Sequence, residues 1–372
     1  MTSKRTIYVE ATALLREKKT GIDYYAQGLI GELARQMPDA HFICFAFDDV
    51  GDNLSIEADN VTFIKIKKGR SKIFRLKMLL GIAPPLERLL NLKRVDTVIF
   101  PNFYSWPVRT CDAKIYPIIH DTTYIDCPEY VDRRNRMLLR KLVRSSAMRA
   151  IKIITISKSS MKSLQNNYGR PESDYVVAYP APASSSEKVA VKRPLNLPKN
   201  YFLYLGTLEP RKNVENIIRA HLSLPAATRK KHPLILAGGK GWKDESILNL
   251  IEKHTGNCLR YLGRVTDVER GYLYNHAFAF VYPAKMEGFG MPVVEALAAG
   301  LPVITSNNSS LPEAGGKSAF YCDGTINGIA DSMMICIQDK ARGQRIKEGK
   351  LYANTFSWRD SAKMVKRELG RK

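Results

Sequence analysis

The stretch FAFVYPAKMEGFGMPVVEALAAGLPVITS, residues 278–306, decides the fold of this chain. Its apolar start predicts a strand from Phe278, its end a second strand from Pro302, and the part between them a loop followed by a helix. Pro292 suits the first helical turn, where its missing N–H is not needed, and Gly300 ends the helix. A strand, a helix and a second strand in this order are typical of a parallel α/β sheet.

The loop of this stretch, EGFG at 287–290, carries the chemistry. Its glycines permit a tight turn, and the helix start directs backbone N–H groups and the positive end of the helix dipole past the strand end. This arrangement suits a diphosphate or the hydroxyls of a sugar. Glu287 and Glu295 are two-oxygen acceptors suited to paired hydroxyls, although acids that merely complement the helix dipole explain their positions equally well.

Strand-like runs recur along the whole chain, and longer amphipathic stretches separate them. Most runs are apolar throughout, as expected for a parallel sheet with helices on both faces. The predicted strands are Thr6 to Val9, His41 to Phe45, Val61 to Ile66, Thr97 to Phe100, Ile115 to Ile119, Lys152 to Ile156, Tyr201 to Leu205, Leu234 to Ala237, Leu259 to Leu262, Phe278 to Tyr282, Pro302 to Thr305 and Ala319 to Tyr321.

The length of the chain predicts two domains, because 372 residues exceed the size at which one hydrophobic core stops growing. Residues 179–200, YPAPASSSEKVAVKRPLNLPKN, accumulate Pro and Ser and lose hydrophobic periodicity, so we expect a linker there. Residues 1–178 and 201–355 then form two similar α/β domains. A cleft between two domains is the default place for a site.

Composition and charge restrict the class of protein. A hydrophobic fraction of 45% and a charged fraction of 25% are typical of a folded globular chain. The formal charge of +22 is spread over both halves, with 29 basic and 19 acidic side chains in residues 1–178. This spread indicates a general attraction to anions such as nucleotide phosphates, anionic lipid or nucleic acid, rather than a basic tail.

Cysteine spacing and hydropathy indicate the compartment. Six cysteines without a CxxC pair predict neither a zinc site nor a disulfide framework. MTSKRTIYVEA at the N-terminus leads into a strand without the apolar stretch of a signal peptide, and no segment reaches the ~18 apolar residues of a membrane span. We therefore expect a cytoplasmic protein, attached at most to the inner face of the cytoplasmic membrane.

Several segments, in the expected order, resemble the signature of retaining glycosyltransferase family four. They are EGFGMPVVEALAAGLPVITS (287–306) with LPE (311–313), YLGTLEPRKN (204–213), YLGRVTD (261–267), TGIDYYAQGL (20–29) and IIHDTTYIDCPEYV (118–131). The resemblance covers nearly the whole chain and implies the GT-B fold, in which two Rossmann-like parallel-sheet domains face a cleft. It also implies that a last helix, 356–372, completes the first domain.

The resemblance implies roles for individual residues. Arg211 and Lys212 would neutralise the pyrophosphate of a nucleotide-sugar donor, Glu295 would bind its ribose, and Glu287 would hold its sugar. The implied donor-binding residues are Gly21, Gly206, Arg211, Lys212, Arg264, Gly288, Phe289, Gly290, Met291 and Glu295, and the implied catalytic residues are His120, Glu287, Arg211 and Lys212. His120 and Gly21 would approach from the first domain.

The residues alone leave other interpretations open. A bare basic pair such as Arg211 and Lys212 is often a solvated helix start, although here it follows a strand and a glycine. A histidine at a strand end, such as His120, is often satisfied structurally. Asp121 helps to position an acceptor or simply caps a turn.

The mechanism follows from the leaving group. Departure of a nucleoside diphosphate develops negative charge, which fixed cations stabilise directly, so no metal or other cofactor is expected. The chain has no Asp-x-Asp pair, in keeping with this expectation. Retention through a covalent intermediate needs a carboxylate beneath the anomeric carbon, and none is identifiable. The resemblance points instead to attack from the face that the leaving group departs from.

The acceptor is addressed only by charge. KIKKGRSKIFRLKMLLGIAPPLERLL (65–90) interleaves Lys and Arg with apolar residues, so residues 65–80 are predicted to meet an anionic membrane, although a surface helix packed on the core has the same periodicity. RRNRMLLRKLVRSSAMR (133–149) is a second basic run, equally explained by an ordinary amphipathic helix. We expect a lipid-linked saccharide or a lipopolysaccharide or exopolysaccharide intermediate as acceptor.

Three further classes compete with this hypothesis. Nucleic-acid binding would suit the charge, but no recognised nucleic-acid motif accompanies it, and we expect no nucleic-acid partner. A phosphorylase or an epimerase would share the fold, and a binding-only relative would not need the catalytic residues.

The segment IIHDTTYIDCPEYV (118–131), with its His-Asp pair at 120–121, is similar to that of mannosyltransferase-like family members. This similarity implies transfer of mannose or a related hexose from a GDP-sugar, with UDP- and dTDP-sugars as alternatives.

Overall fold

The predicted strands pair into two parallel sheets in a computed structural model of the chain. The structure describes residues 5–370 except 17–18, 48–53, 55, 57, 67–83, 106–111, 183–196 and 257. Two units form, which we call unit 1 (Met1–Pro180 with Ser357–Lys372) and unit 2 (Ala181–Phe356). Most of the predicted linker, and nearly all of the basic segment 65–80, lies outside the described residues.

Unit 1 is built on a sheet of seven strands within the described residues. They are β1 (Arg5–Glu10), β2 (Ala40–Phe47), β3 (Val61–Ile66), β4 (Thr97–Phe100), β5 (Lys114–Ile119), β6 (Ile153–Thr155) and β7 (Tyr175–Val177). The strand order is β3-β2-β1-β4-β5-β6-β7, and every neighbouring pair is parallel. The helices are α1 (Gly21–Gln36), α2 (Leu86–Leu89), α3 (Thr123–Asp126), α4 (Arg133–Arg149) and α5 (Lys158–Tyr168).

Unit 2 repeats this plan with six strands among the described residues. They are β8 (Phe202–Leu205), β9 (Leu234–Ala237), β10 (Leu259–Tyr261), β11 (Ala279–Tyr282), β12 (Val303–Ser306) and β13 (Phe320–Cys322), in the parallel order β10-β9-β8-β11-β12-β13. The helices are α6 (Val214–Ser223), α7 (Ala226–Lys231), α8 (Glu245–His254), α9 (Asp267–His276), α10 (Met291–Ala298), α11 (Leu311–Gly315), α12 (Ile326–Gln338) and α13 (Arg342–Ala353).

The last helix, α14 (Trp358–Gly370), is grouped with unit 1. Its apolar face, with Val365 and Leu369, is buried. Lys366 Nζ donates to the Gln36 carbonyl at the end of α1 at 2.6 Å, and Ser361 Oγ donates to the Tyr179 carbonyl at 2.6 Å. The end of the chain is thus fixed to the first sheet's helical layer.

Burial explains why the strand pattern was readable. β4, β9, β11 and β12 are buried at every position, as expected when helices cover both faces of a parallel sheet. The prediction of two parallel-sheet α/β units is confirmed. All twelve predicted strands are present, with ends that differ by at most two residues, whereas β7 was not predicted.

Strand order determines where ligands bind in such sheets. In unit 1 the order reverses between β1 and β4, and in unit 2 between β8 and β11. Chains leave neighbouring strands in opposite directions at these switch points, which opens a crevice at the carboxyl ends of the strands. Residues that follow β8 and β11 are therefore the first candidates for a site in unit 2, and those that follow β1 and β4 in unit 1.

Candidate functional site

The switch point of unit 2 brings together three of the predicted catalytic residues. β8 leads through Gly206 into a short 3₁₀ turn, Pro210–Lys212, and β11 leads into the loop that carries Glu287. These two connections start from adjacent strands, although they are about 75 residues apart in sequence. The sheet order alone makes their side chains neighbours.

Glu287 is the centre of a buried hydrogen-bond network. Its Oε1 accepts hydrogen bonds from Lys212 Nζ and, at 2.8 Å, from the Tyr282 hydroxyl. Its Oε2 accepts from Arg211 Nη1 at 3.3 Å, and Arg211 Nη2 also donates to Glu209 Oε1 at 2.8 Å. Lys212 Nζ in turn donates to the Tyr282 hydroxyl at 2.7 Å. Two cations thus meet two carboxylates, so the network carries no net charge.

Burial and the neighbouring charges shift the pKa values of both Glu287 and Lys212. Burial opposes ionisation of Glu287, but Lys212 and Arg211 outweigh it and lower the pKa of this carboxyl to about 2. Burial and the neighbouring Arg211 lower the pKa of Lys212, and the carboxylate of Glu287 counteracts them. Glu287 is therefore a carboxylate at every physiological pH. Because a carboxylate offers about four lone-pair sites and three are used, Oε2 retains capacity for one further donor such as a sugar hydroxyl.

The backbone around the network is fixed by side chains that the sequence analysis did not single out. Asn213 adopts φ +62° and donates from Nδ2 to the carbonyls of Pro283, at 3.1 Å, and Gly324, at 2.7 Å. The hydroxyl of Ser310 donates to the Glu287 carbonyl at 2.9 Å. Asn is among the residues that tolerate a left-handed backbone, and this was the available sequence signal.

The helix start after this loop is shaped by Gly290 and Pro292. Gly290 adopts φ +107°, and an added Cβ would lie 2.9 Å from Leu311 Cδ2, so the position requires glycine. Pro292 stands in the first turn of α10, as predicted. Phe289 is buried, and its ring packs edge-on against Phe356 with centroids 5.2 Å apart, so its side chain belongs to the core of unit 2.

Glu295 differs from Glu287 in its environment. It lies on α10, is partly buried, and its Oε2 accepts a hydrogen bond from the Tyr274 hydroxyl at 3.2 Å. Burial raises the pKa of Glu295, while Arg270 and Tyr274 oppose this shift. The two carboxylates of the predicted site are thus held by different partners.

Two glycine-lined strand ends lie beside the network. Gly206 follows β8 and Gly238 follows β9, and their backbones approach so closely that a Cβ on Gly238 would lie 1.9 Å from the Gly206 carbonyl oxygen. Arg264 follows β10, is exposed, and has its Nε 3.9 Å from the ideal Cβ position of Gly239. Among the described residues no carboxylate lies within ion-pair distance of Arg264, in contrast to Arg211.

His120 and Gly21 belong to unit 1. His120 directly follows β5 and is buried, with the rings of Tyr25 and Phe103 at centroid distances of 5.2 Å. Its Nε2 lies 2.8 Å from the Pro101 carbonyl oxygen, so this nitrogen carries the proton and Nδ1 is an acceptor in the neutral ring. Burial lowers the pKa of His120, which keeps the ring neutral. Gly21 is the first residue of α1.

Asp121 caps a turn, which was one of its two interpretations. Its Oδ1 accepts a hydrogen bond from the Thr123 backbone N–H at 2.9 Å. The α1 start is similarly closed by its own residues, because Asp23 Oδ2 accepts from the Thr20 backbone N–H at 2.7 Å and Asp23 Oδ1 pairs with Arg16 at 3.3 Å.

A carboxylate at the switch point of unit 1 escaped the sequence analysis. Glu10 ends β1, and its Oε1 accepts hydrogen bonds from the backbone N–H of Thr12, at 3.1 Å, and from the Thr12 hydroxyl. Burial raises the pKa of Glu10, opposed by Thr12 and Arg16. The signal was positional, since Glu10 is the polar residue that directly follows a buried run.

Solved structures share this arrangement of two parallel-sheet units. WaaG, a glycosyltransferase involved in lipopolysaccharide biosynthesis, has a TM-score of 0.72 at 14% identity, covering 99% of this chain and 100% of that one. Sucrose-phosphate synthase from Thermosynechococcus elongatus has a TM-score of 0.72 at 16% identity, covering 98% of both chains. The fold is therefore that of the GT-B glycosyltransferases, as predicted.

Sequence comparison identifies the family. The model described as glycosyl transferases group 1 matches residues 185–350. O-antigen chain mannosyltransferase B of Escherichia coli is 35% identical over 273 residues, which cover 69% of this chain and 70% of that protein. Serotype-specific mannosyltransferase WbdA of Escherichia coli is 31% identical over 227 residues, which cover 59% of this chain and 27% of WbdA. The chain belongs to the glycosyl transferases group 1, and the predicted glycosyltransferase activity, transfer of a hexose, is confirmed.

The described residues also bear on metal binding and membrane insertion. No three His, Cys, Asp or Glu side chains lie together there as ligands of a metal ion would. None of the described helices is both long enough and apolar enough to span a bilayer. Independence from metal remains a prediction, and so does membrane association through residues 65–80.

Proposed function

We propose that the chain transfers mannose or a related hexose from a GDP-sugar, with retention and without a metal, to a lipid-linked saccharide or a lipopolysaccharide intermediate. The observation that carries the proposal is the network of Lys212, Arg211 and Glu287 at the switch point of unit 2. The choice of mannose is supported by two similar proteins, O-antigen chain mannosyltransferase B and WbdA, which are mannosyltransferases.

The network suits stabilisation of a departing diphosphate. Negative charge that develops on the β-phosphate is stabilised by preorganised cations in a site shielded from water. Lys212 and Arg211 are held by Glu287 and Glu209 before any ligand binds, so their positions need no reorganisation. Arg264, which is exposed beside the same strand ends, offers an additional cation to the diphosphate.

Glu287 has a second proposed role in holding the donor sugar. The remaining lone-pair capacity of Oε2 would accept a sugar hydroxyl, and the amide groups at the start of α10 would lie near the same sugar. Glu295 would accept hydroxyls of the ribose. His120, with its neutral ring and an acceptor at Nδ1, would contact the sugar from unit 1.

Retention is proposed to proceed by attack on the same face from which the diphosphate leaves. The new bond forms between the acceptor oxygen and the anomeric carbon while the bond to the β-phosphate breaks, and the leaving phosphate takes the acceptor proton. Mass spectrometry of the enzyme quenched during turnover tests this step. A glycosylated carboxylate in the chain would show a covalent intermediate and overturn the proposal.

Donor choice is tested by thermal stabilisation. A ligand present at 100 times its dissociation constant adds about 2.7 kcal/mol to the unfolding free energy of the protein. We expect GDP-mannose to raise the Tm more than UDP-glucose or dTDP-glucose at equal concentration, and equally in buffer with and without EDTA. A larger shift with a UDP- or dTDP-sugar would overturn the GDP assignment, and loss of transfer in EDTA would overturn metal independence.

The division of labour between the carboxylates is tested by kinetics. Glu287→Gln is expected to lower kcat more than it raises the donor KM, because its partners are the groups proposed to act on the departing phosphate. Glu295→Gln is expected mainly to raise the donor KM. Equal effects of the two substitutions on both constants would show that these roles are wrongly assigned.

The proposed acceptor requires the enzyme to work at the anionic inner face of the cytoplasmic membrane. It is supported by the net charge of +22 and by the similarity to an O-antigen chain mannosyltransferase. The enzyme is incubated with labelled GDP-mannose and with membranes that carry lipid-linked saccharide. Transfer of the label into an organic-solvent phase is the expected result. Label that remains entirely in water-soluble product would overturn it.

A further inference from the structure

Helix α4 of unit 1 is strongly basic, which packing on the core alone does not require. Its sequence, RRNRMLLRKLVRSSAMR, contains seven basic residues and no acidic residue. Asp132 precedes it and caps it, accepting from the backbone N–H of Arg134 at 3.2 Å. Among the described residues, none of the seven basic side chains lies within ion-pair distance of a carboxylate. Within the described part of the chain, the positive charge of α4 is therefore not compensated by ion pairs.

Only a narrow stripe of α4 packs on unit 1. Val143 and Ala147 are buried in a core cluster, and Leu139 packs against the same cluster. These positions are four residues apart, so they lie on one face. Ser146 is also buried and bonds to Ser105 at 3.0 Å. The core thus accounts for one stripe of the helix and leaves the opposite face to solvent.

The opposite face presents apolar side chains. Met137 is 72% exposed and Met148 is 54% exposed. With 3.6 residues per turn, these two methionines, eleven positions apart, point within about 20° of each other. Leu138, within the helix, and Ile151, two residues beyond its end, are exposed as well. A methionine line on the solvent side is costly in water unless another surface covers it.

Cations flank the methionine line on both sides. On the helical wheel, Arg133, Arg140 and Arg144 lie on one side of it, and Arg134 and Lys141 lie on the other. Long basic side chains of this kind extend towards phosphate groups while apolar residues between them enter the boundary of the acyl chains. Charge alone would suit any polyanion, but exposed methionines between the cations favour a bilayer over a nucleic-acid backbone.

We propose that the solvent face of α4 is the surface by which this enzyme binds a bilayer containing anionic lipid. The inference rests on the proposed function for its biological purpose, since a lipid-linked acceptor lies in such a bilayer. It is independent of residues 65–80, and it does not involve the residues of the candidate site. Each cation near an anionic surface adds to the attraction, so a helix with five suitable cations binds reversibly and with strong salt dependence.

Vesicle binding tests the surface directly and needs neither donor nor acceptor. Full-length protein is sedimented with vesicles of phosphatidylglycerol and phosphatidylcholine in equal parts, and separately with phosphatidylcholine alone. We expect partition into the anionic vesicles only, decreasing as salt is raised. Arg140→Gln/Arg144→Gln is expected to lower the partition coefficient about tenfold or more. Met137→Ser/Met148→Ser is expected to lower it about tenfold through lost apolar burial.

Two matched control variants in unit 2 distinguish the effect of the α4 surface from the effect of losing net charge or exposed apolar side chains elsewhere. Lys230→Gln/Lys231→Gln removes the same charge from an exposed part of α7, and Ile335→Ser/Leu351→Ser removes two exposed apolar side chains. Both are expected to bind vesicles like the wild type. All variants alter exposed positions, and an unchanged Tm together with unchanged stabilisation by GDP-mannose confirms that each is folded.

The outcomes distinguish the proposals. Binding by the wild type that survives both α4 substitutions would overturn the α4 surface while leaving the membrane proposal in place, and segment 65–80 would then be its next candidate. No binding of the wild type to anionic vesicles would overturn both. Retention of double-stranded DNA, lowered by the arginine variant but not by the methionine variant, with no vesicle binding, would identify a polyanion site instead.

Discussion

Two buried titratable groups at the carboxyl ends of the two sheets, Glu287 in unit 2 and His120 in unit 1, are held in different ionisation states. At the switch point of unit 2, a buried carboxylate, Glu287, is surrounded by Lys212, Arg211 and the Tyr282 hydroxyl. In unit 1, His120 directly follows β5, and burial between the rings of Tyr25 and Phe103 keeps it neutral. Glu287 is thus held charged by its partners, whereas His120 is held neutral by burial.

This difference is informative because both solutions face the same cost of burial. Removing an ion from water is unfavourable unless its partners are close and well oriented. Unit 2 meets that cost with four hydrogen-bonded groups, whereas unit 1 meets it by lowering the pKa of His120. A departing diphosphate needs charged groups, and a neutral sugar does not. The proposed function accordingly places the diphosphate against the charged network of unit 2.

Lys212→Met is expected to have the largest effect, because it leaves Glu287 buried with only part of its compensation. Removing one partner of a buried ion pair costs about 3–5 kcal/mol, and we expect the lower end because Arg211 remains. Urea unfolding of the purified variant measures it. Lys285→Met, in the exposed part of the same loop, is the control, and we expect a change within about 0.5 kcal/mol. Equal stability of the two variants would remove the distinction between the sheet edges.

Acid is expected to weaken unit 2 through Glu287. The folded-state pKa of about 2 lies below the ordinary value of 4.5, so the unfolded state binds the proton first as pH falls. The stability that Glu287 contributes is present above pH 4.5 and is lost as pH falls towards 2, by about 3 kcal/mol in total. Unfolding free energies of wild type and Glu287→Gln, compared along this range, measure it. Parallel curves for the two proteins would contradict the ion-pair account.

The sequence predicted the strands because their burial on both faces leaves an uninterrupted apolar signal. It did not predict β7, Tyr175–Val177, although β6, β10 and β13 are equally short. It identified Arg211, Lys212 and Glu287 individually but not their mutual contact. That contact depends on β8 lying beside β11, a fact of topology that no local pattern contains.

Residues that support the site could not be predicted from the sequence either. Tyr282 looked like any aromatic residue of a buried strand, yet its hydroxyl donates to Glu287 at 2.8 Å. Glu10 was hidden because a single acid after a strand is common. His120 was recognised by its motif, but its neutral state follows from three-dimensional burial. Local patterns thus locate the groups, and the tertiary structure determines their charge.

His120 provides a smaller pH effect in the same direction, at higher pH. Its pKa is lowered by burial, so as pH falls below about 6.5 the unfolded state gains a proton that the folded state does not, and stability decreases. In His120→Asn this part of the decrease is expected to be missing, which makes the curve between about pH 7 and pH 5 shallower. His221 and His232 are present in both proteins and cancel. An unchanged slope in the variant would mean that His120 is not held neutral.

Gly21→Ala is expected to change the fold least and to show whether unit 1 approaches the donor. An added Cβ has nothing within 4 Å, and alanine in a helix is favoured over glycine by up to about 1 kcal/mol, so stability should be equal or higher. If the donor phosphate comes against Gly21, as the resemblance implies, the methyl group should lower kcat/KM about tenfold, or 1.4 kcal/mol of transition-state binding. Gly31→Ala, on the same helix with its nearest neighbour Arg35 Nη2 at 3.8 Å, should gain the same stability and retain full activity. Full activity in both variants would exclude Gly21 from the site and restrict donor binding to unit 2.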